Sequence, residues 1–213
     1  IEFQVMAAPN ADGETEVAVF PERECSIQRR NQKIIEETPS CLLKEETRLA
    51  MADQVRRLCK RVGYESAGTV EWLVDENQNF YFLEMNTRLQ VEHPITESIT
   101  GKDLVEAMLH VGAGRGLPDD LREFAKPGTV VPYRGHAIEA RIYAEDPLRG
   151  FLPSTGPLTQ YIEPESITEF PQDPPYVRCD SGVVHGHIVS PFYDPMLSKL
   201  VYYGEDRAGA ISG

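Results

Sequence analysis

The sequence contains no apolar run approaching the roughly 20 residues that a membrane-spanning helix requires. Its first residues, Ile1-Glu2-Phe3-Gln4, have neither a starting Met nor the basic-then-apolar pattern of a signal peptide. A soluble protein is expected. Cysteine is scarce: Cys25, Cys41, Cys59 and Cys179 lie far apart with no Cys-x-x-Cys, so zinc-ribbon and thioredoxin-like readings have no support. Reduced thiols in an intracellular compartment are expected. A disulfide scaffold is not needed, because 213 residues bury enough surface to fold as one large domain or two small ones. Cations are outnumbered, 21 against 34 acids, and the net charge of -13 argues against a nucleic-acid partner. A small anionic ligand stays open, since a pocket can be locally basic on an acidic protein. One segment reverses the balance: Gln28-Arg29-Arg30-Asn31-Gln32-Lys33 carries three cations and no acid. Such a run reads most simply as a solvated surface.

The chain opens inside a strand-like alternation and stops at Ser212-Gly213, just after a helix starts near Asp206, so it reads as part of a longer chain. Segments 1–8 and 16–20 form a hairpin around the polar break Asn10 to Gly13, and 25–37 reads as a third extended piece. Residues 45–62 predict an amphipathic helix, with Leu49, Ala52, Val55, Leu58, Cys59 and Val62 at helical spacing and Gly63 as its stop. Two strands, Gly68 to Val74 and Phe80 to Met85, follow across the turn Asp75-Glu76-Asn77-Gln78-Asn79, then a helix over about 102–112. Beyond Arg134 the pattern is mostly short strands, Gly135 to Ala144, Leu158 to Ile162, Tyr176 to Cys179 and Lys199 to Tyr203, with a Pro-rich loop at 163–175. Gly, Pro and charge dominate 114–134, which divides a mixed α/β lobe, 1–113, from a mostly β lobe, 135–213.

A turn centred between Asn77 and Gln78 puts Glu71 opposite Glu84. At about 4 Å and an effective dielectric near 20, two facing carboxylates repel by on the order of 4 kcal/mol, so they tend to share a cation or a proton. Strand alternation places Asn86 on the same face. Two carboxylates and an amide oxygen suit a hard cation such as Mg²⁺ or Mn²⁺; the plain alternative is an exposed face of solvated acids. Next, Arg88, Gln90 and Glu92 recur at spacing two, so an extended stretch aims a guanidinium, an amide and a carboxylate at one place. A fork of N–H donors suits bicarbonate or phosphate, and a carboxylate beside it suits a general base. An ion-pair network that pins a loop fits the same residues.

The run Glu84 to Glu97, EMNTRLQVEHPITE, resembles the signature of the biotin carboxylase family within the ATP-grasp superfamily. Three further stretches resemble family motifs in the same order: Glu22 to Lys33, ERECSIQRRNQK; Gly135 to Pro147, GHAIEARIYAEDP; and Phe192 to Leu200, FYDPMLSKL. The resemblance implies an α/β fold: the second half of an ATP-grasp domain (1–113), a seam (114–134) and a mostly β biotin carboxylase C-terminal domain (135–213). It implies an enzyme that uses ATP, Mg²⁺ or Mn²⁺ and bicarbonate to carboxylate biotin through carboxyphosphate. Glu71, Glu84 and Asn86 match its metal positions and Leu73 a residue flanking adenine. Gln28 and Lys33 match positions near nucleotide and bicarbonate, which makes the basic run a pocket wall. Arg88, Gln90 and the Val91 backbone N–H match the bicarbonate cradle, Glu92 the base that deprotonates bicarbonate, and Arg141 the residue that stabilises the biotin enolate.

Asn31, where many family members carry His, resembles the propionyl-CoA carboxylase branch, as do Asp180-Ser181-Gly182 and Phe192 to Met196. No Ala-Met-Lys-Met biotinylation motif occurs here, so biotin is expected on another domain or chain, with a carboxyl carrier domain and a carboxyltransferase subunit as partners in a homodimer or larger complex. A mitochondrial matrix and a bacterial cytoplasm both fit. Other biotin-dependent carboxylases (pyruvate, methylcrotonyl-CoA, acetyl-CoA) and a non-catalytic assembly module are the alternatives. The Arg141 block opposes a carbamoyl-phosphate or peptide-forming ligase. Among the remaining candidates, His93 is expected to fix its loop by a hydrogen bond, Arg178 lies where the family dimerises, Asp194 either orders the site or caps a turn, and His185 with His187 reads as ordinary strand rather than metal ligands.

Overall fold

The computed structural model describes residues 1–167 and 169–213. The first lobe contains β1 (Glu2–Pro9), β2 (Thr15–Val19), β3 (Glu24–Arg29), β4 (Gln32–Thr38), α1 (Glu45–Val62), β5 (Ser66–Val74), β6 (Phe80–Asn86), α2 (His93–Thr100) and α3 (Leu104–Gly112). The remainder contains α4 (Asp119–Arg122), β7 (His136–Tyr143), β8 (Glu145–Asp146), β9 (Leu152–Pro153), β10 (Gly156–Pro157), β11 (Tyr176–Ser181), β12 (Ile188–Val189), β13 (Met196–Gly204) and α5 (Arg207–Ser212). These include the mixed α/β elements expected from the sequence, while α2 and the short α4, β8, β9, β10 and β12 were not foreseen and two expected segments differ. The 25–37 piece is a hairpin, β3 and β4, because Arg30 and Asn31 take φ of 53° and 64°, the left-handed pair that a tight two-residue turn requires. The run Leu158 to Ile162 is not a strand: it lies between Pro157 and Pro164, exposes Ile162, and has backbone hydrogen bonds only from Leu158, to Gly186 and His187, among the described residues.

Two sheets organise the chain. The first has the order β2-β1-β5-β6 and the second β11-β13-β7-β4-β3. Central β1 is buried along almost its whole length. Phe3, Val5 and Ala7 point to a core shared with Met51, Ala52, Val55 and Cys59 of α1, while Met6 and Ala8 join Leu104, Ala107 and Val111 of α3 on the opposite face. Each large apolar side chain so buried stabilises the fold by about 1.5–3 kcal/mol. Helix α1 ends as expected at Gly63, which takes φ 63° to close the last turn. Its buried face is rotated from the predicted one. Val62 is exposed, and Arg48 and Arg56 are buried because Glu22 and the carbonyls of Val17 and Thr129 satisfy their guanidinium groups.

The segment 114–134 packs rather than hangs free: Leu117, Leu121 and Val131 are buried against the α3 side of the first sheet. The sheets also do not divide the chain at that segment. β4 pairs with β7, from Ile35 opposite Ala140 to Thr38 opposite Ala137, so the β3–β4 hairpin from the first lobe completes the second sheet. Helix α2 covers that sheet, with Ile95 and Ile99 against Ala137, Val201 and Tyr203. The loop 163–175 includes Thr168, which lies outside the described residues.

Candidate active site

The polar positions of β1 generate the site. Glu2 and Gln4 share a face of the strand, and across the antiparallel ladders they form two rows: Glu2 opposite Glu71 opposite Glu84, and Gln4 opposite Thr69 opposite Asn86. The Glu71–Glu84 pairing matches the sequence expectation by a different route. The turn is centred one half-step earlier, at Asn77, where Asp75 Oδ1 accepts from the backbone N–H of Asn77 and Asn79. A bulge beside Trp72 adds one residue on β6 and restores the register. Asn86 joins the same face, its amide donating to Glu71 at 2.9 Å and reaching Glu84 at 3.5 Å. Side-chain amide orientation is an assignment; with the amide turned over, three oxygens converge, a donor set that fits a hard divalent cation.

Three carboxylates in a row require cations, and the β3–β4 hairpin delivers them. A backbone bridge between Glu2 and Arg23 carries the Arg23 side chain beneath the sheet, fully buried. It donates to Glu2 at 2.6 Å, Gln4 at 3.0 Å, Thr96 at 3.0 Å, Thr69 at 3.3 Å and Gln90 at 3.0 Å. Lys33 donates to Glu2, to Glu71 at 3.0 Å and to Glu92 at 2.7 Å. Burial opposes the charge of this ammonium, but Glu2 and the other anionic neighbours more than restore it and hold it protonated.

Glu92 is the junction of the two sheets. It is 2% exposed, one oxygen taking the Lys33 bond and the other accepting from Arg141 Nη2 at 2.9 Å. Burial by itself would raise its carboxyl; Arg23, Lys33 and Arg141 outweigh that and hold it at about 2. Gln90 donates to Glu71 at 2.8 Å while accepting from Arg23. His93 Nδ1 meets the Gln90 carbonyl at 2.8 Å, the expected loop-fixing contact, and burial pushes its ring down to about 4, so it stays neutral. Lys199 donates to the Val91 carbonyl at 3.1 Å.

The structure thus brings together Lys33, Glu71, Gln90, Glu92 and Arg141, with Glu84 and Asn86 at the edge. Gln28, Lys33, Glu71 and exposed Leu73 line one cleft of about 160 Å³, where Gln28 donates to the Cys25 carbonyl at 2.7 Å. Arg88 stands apart. Residues 87–92 are loop and turn rather than extended strand, so spacing two does not aggregate them; Arg88 is exposed and donates to its neighbour's carbonyl, Leu89, at 3.3 Å. Arg178 joins Glu97 at 2.7 Å and Asp180 at 2.8 Å within the chain, Asp194 accepts from the Met196 backbone N–H at 2.8 Å, and His185 and His187 are exposed beside a turn. Larger cavities, of about 490 and 370 Å³, lie near Arg115 and His110, away from this cluster. Glu2, Arg23 and Glu36 were not expected as site residues; polar Glu2 and Gln4 between Phe3 and Val5 in a buried strand were the available signal.

The α/β architecture, with facing carboxylates beside a buried carboxylate bonded to Lys33 and Arg141, is that of an ATP-grasp protein. Residues 1–120 match the family model for the carbamoyl-phosphate synthase L chain ATP binding domain, and residues 139–213 match that for the biotin carboxylase C-terminal domain. The chain belongs to the biotin carboxylase family of ATP-grasp proteins. It is 54% identical over 192 residues to the mitochondrial propionyl-CoA carboxylase alpha chain of Caenorhabditis elegans, covering 90% of this chain and 25% of that one. It is 50% identical over 223 aligned positions to the propionyl-CoA carboxylase alpha chain of Ruegeria pomeroyi, covering 99% of this chain and 31% of the relative. The chain therefore spans about a quarter to a third of the curated relatives it matches. Among solved structures, the biotin carboxylase domain dimer of Hydrogenobacter thermophilus 2-oxoglutarate carboxylase, in complex with MgADP, ADP and bicarbonate, superimposes with a TM-score of 0.86 at 38% identity, over 99% of this chain and 42% of that one.

Proposed function

We propose that this chain supplies the bicarbonate- and biotin-facing part of a biotin carboxylase. The observation that carries the reading is the Glu92 carboxylate, buried between Lys33 and Arg141 and one Glu71 side chain away from a three-oxygen metal face. Glu92 takes the proton of bicarbonate, whose oxygen then attacks the γ-phosphate of ATP to give carboxyphosphate and ADP. Carboxyphosphate breaks down to carbon dioxide and phosphate, the phosphate removes the proton of biotin, and the biotin enolate, facing Arg141, captures the carbon dioxide. Glu71, Glu84 and Asn86 would hold Mg²⁺ or Mn²⁺, which neutralises charge gathering on the phosphates. Arg88, with its guanidinium free of any carboxylate in the described residues, is the open donor for bicarbonate.

With its carboxyl held at about 2, Glu92 is a weak base while Lys33 and Arg141 stay bonded to it. An anion seated on Lys33 and Arg141 draws those cations away and adds a like charge, and both effects raise the proton affinity of Glu92. The base is thus strengthened by the substrate it deprotonates.

The named relatives support propionyl-CoA as the final acceptor; biotin on a carrier domain and carboxyl transfer on a further subunit complete the proposed reading. The dimeric neighbour supports a homodimer. A mitochondrial matrix location follows the animal relatives and a bacterial cytoplasm the R. pomeroyi one. In the whole protein, ATP hydrolysis should require bicarbonate and free biotin, and Glu92→Ala should lower it by about 10²–10⁴ while nucleotide binding survives. Equal turnover by wild type and variant overturns the reading.

A further inference from the structure

Beside Arg141 lie two carboxyl groups that no step above uses. Glu36 and Glu139 are direct partners in the β4–β7 ladder, and neither is exposed. Directly opposed residues in such a ladder hold their Cβ atoms about 4.5–5.5 Å apart, so the two carboxyl groups are neighbours. One oxygen of Glu36 accepts from Arg141 Nε at 2.7 Å and lies 2.6 Å from Nη2. Its other oxygen, and both oxygens of Glu139, are buried with no hydrogen-bond donor among the described residues. The charged groups around Glu139 are Glu36 on β4, Lys199 on β13, Arg141 on its own strand and Glu92 at the entry to α2. Lys199 is already committed to the Val91 carbonyl and Asp180.

Left ionised, this pair combines like-charge repulsion with buried acceptors that lack donors, each of which costs about 1–3 kcal/mol. A single proton removes the like-charge repulsion and gives the free Glu36 oxygen a donor, because a carboxylic acid can donate to a carboxylate. Arg141 favours the charged form of Glu36, so the proton belongs on Glu139. Burial first, and then the charge of Glu36, pushes the Glu139 carboxyl well above its ordinary range; burial lifts Glu36 to about 7 against the pull of Arg141.

We propose that Glu139 is a protonated acid that donates a hydrogen bond to the free oxygen of Glu36, and that the two are positioning residues which lock the Arg141 guanidinium with Nη2 on Glu92. The consequence for catalysis depends on the biotin carboxylase reading; the protonation of Glu139 does not. Difference infrared spectra of the whole protein, wild type minus Glu139→Gln, should show at neutral pH a protonated-carboxyl C=O band that the variant lacks. Spectra with carboxylate bands only, alike in both proteins, overturn the proposal. The amide of Glu139→Gln still donates to Glu36 and should keep biotin-dependent turnover within about threefold, whereas Glu139→Leu should lower kcat by about 10–100-fold with KM for ATP unchanged. Equal kcat for the Gln and Leu variants overturns the positioning role. Wild-type protein with no biotin-dependent turnover but an intact infrared band would instead remove the functional reading and leave Glu139 protonated.

Discussion

The buried cluster around Arg23 and the rim at Glu84 and Asn86 sit on the same sheet face a few residues apart, yet they are built in opposite ways. In the cluster, each charge has a partner within the chain: Arg23 on Glu2, Lys33 on three carboxylates, Arg141 on Glu36 and Glu92. On the rim, Glu84 is exposed and among the described residues hydrogen-bonds only with the Asn86 amide, while Leu73, Tyr81, Phe82 and Leu83 beside it stay more than half exposed. The difference separates two tasks. On the proposed reading, Lys33, Glu92 and Arg141 are held in place by packing and ion pairs before any substrate arrives. On the same reading, Glu84 and the exposed apolar side chains beside it are left open for a metal and a nucleotide.

The sharpest way to break the contrast is Arg23→Met, which keeps the volume and removes the charge. Glu2, wholly buried, then loses a cation, and Gln4, Thr69, Thr96 and Gln90 each lose a donor. Removing one partner of a buried pair costs about 3–5 kcal/mol, so denaturant melts should show a large loss of stability in this variant. A melt that matches wild type would show that the cluster does not stabilise the fold.

A smaller effect is expected from Glu92→Gln, and its dependence on pH identifies the cause. The folded Glu92 carboxyl is held at about 2, below its ordinary value of 4.5, so its ionised form is favoured in the fold. That contribution is complete above pH 4.5 and is lost as pH falls through about 2. Glu36, raised to about 7 by burial, works in the opposite sense, destabilising as pH rises from 4.5 towards 7, but it is present in both proteins and largely cancels between them. The Tm of wild type should exceed that of the variant by a constant margin above pH 5 and the margin should close on acidification. A margin that does not change with pH would mean that the three cations do not act on Glu92 through its charge.

The sequence made the rim legible and the cluster only in part. Hairpin chemistry and strand alternation are local, so the turn Asp75 to Asn79 could be read from a few residues, whereas the pairing of Glu71 with Glu84 came right because a bulge offset a half-step error in the turn centre. The helix over 45–62 was legible for the same reason, with Gly63 as its stop. Lys33, Glu92 and Arg141 meet because the hairpin 24–38, the entry to α2 and strand 136–143 come from distant parts of the chain, and no local period encodes the β4–β7 pairing that joins the two lobes. Only the family resemblance placed those three residues in one site. Arg23 and Glu36 escaped because a buried charge looks in sequence like a surface charge; what distinguishes it is a partner, and the partners Glu2 and Arg141 lie 21 and 105 residues away. Alternation misread 88–92, since Pro94 opens α2 and the residues before it turn rather than extend.

The rim should therefore tolerate what the cluster cannot. Glu84→Ala removes an exposed carboxylate whose sole described contact is a 3.5 Å approach from Asn86, and relieves its repulsion from Glu71. Its stability should stay within about 0.5 kcal/mol of wild type. Divalent affinity should fall, because one of three oxygen donors is gone; Mn²⁺ titration of the whole protein with nucleotide present, followed by electron spin resonance, measures this directly. Asn86→Ala should weaken Mn²⁺ binding less than Glu84→Ala, because a neutral amide oxygen contributes less to a hard cation than a carboxylate does. Unchanged Mn²⁺ affinity in both variants would move the metal off this face, while a large stability loss in either would mean that the rim, like the cluster, is part of the fold's support.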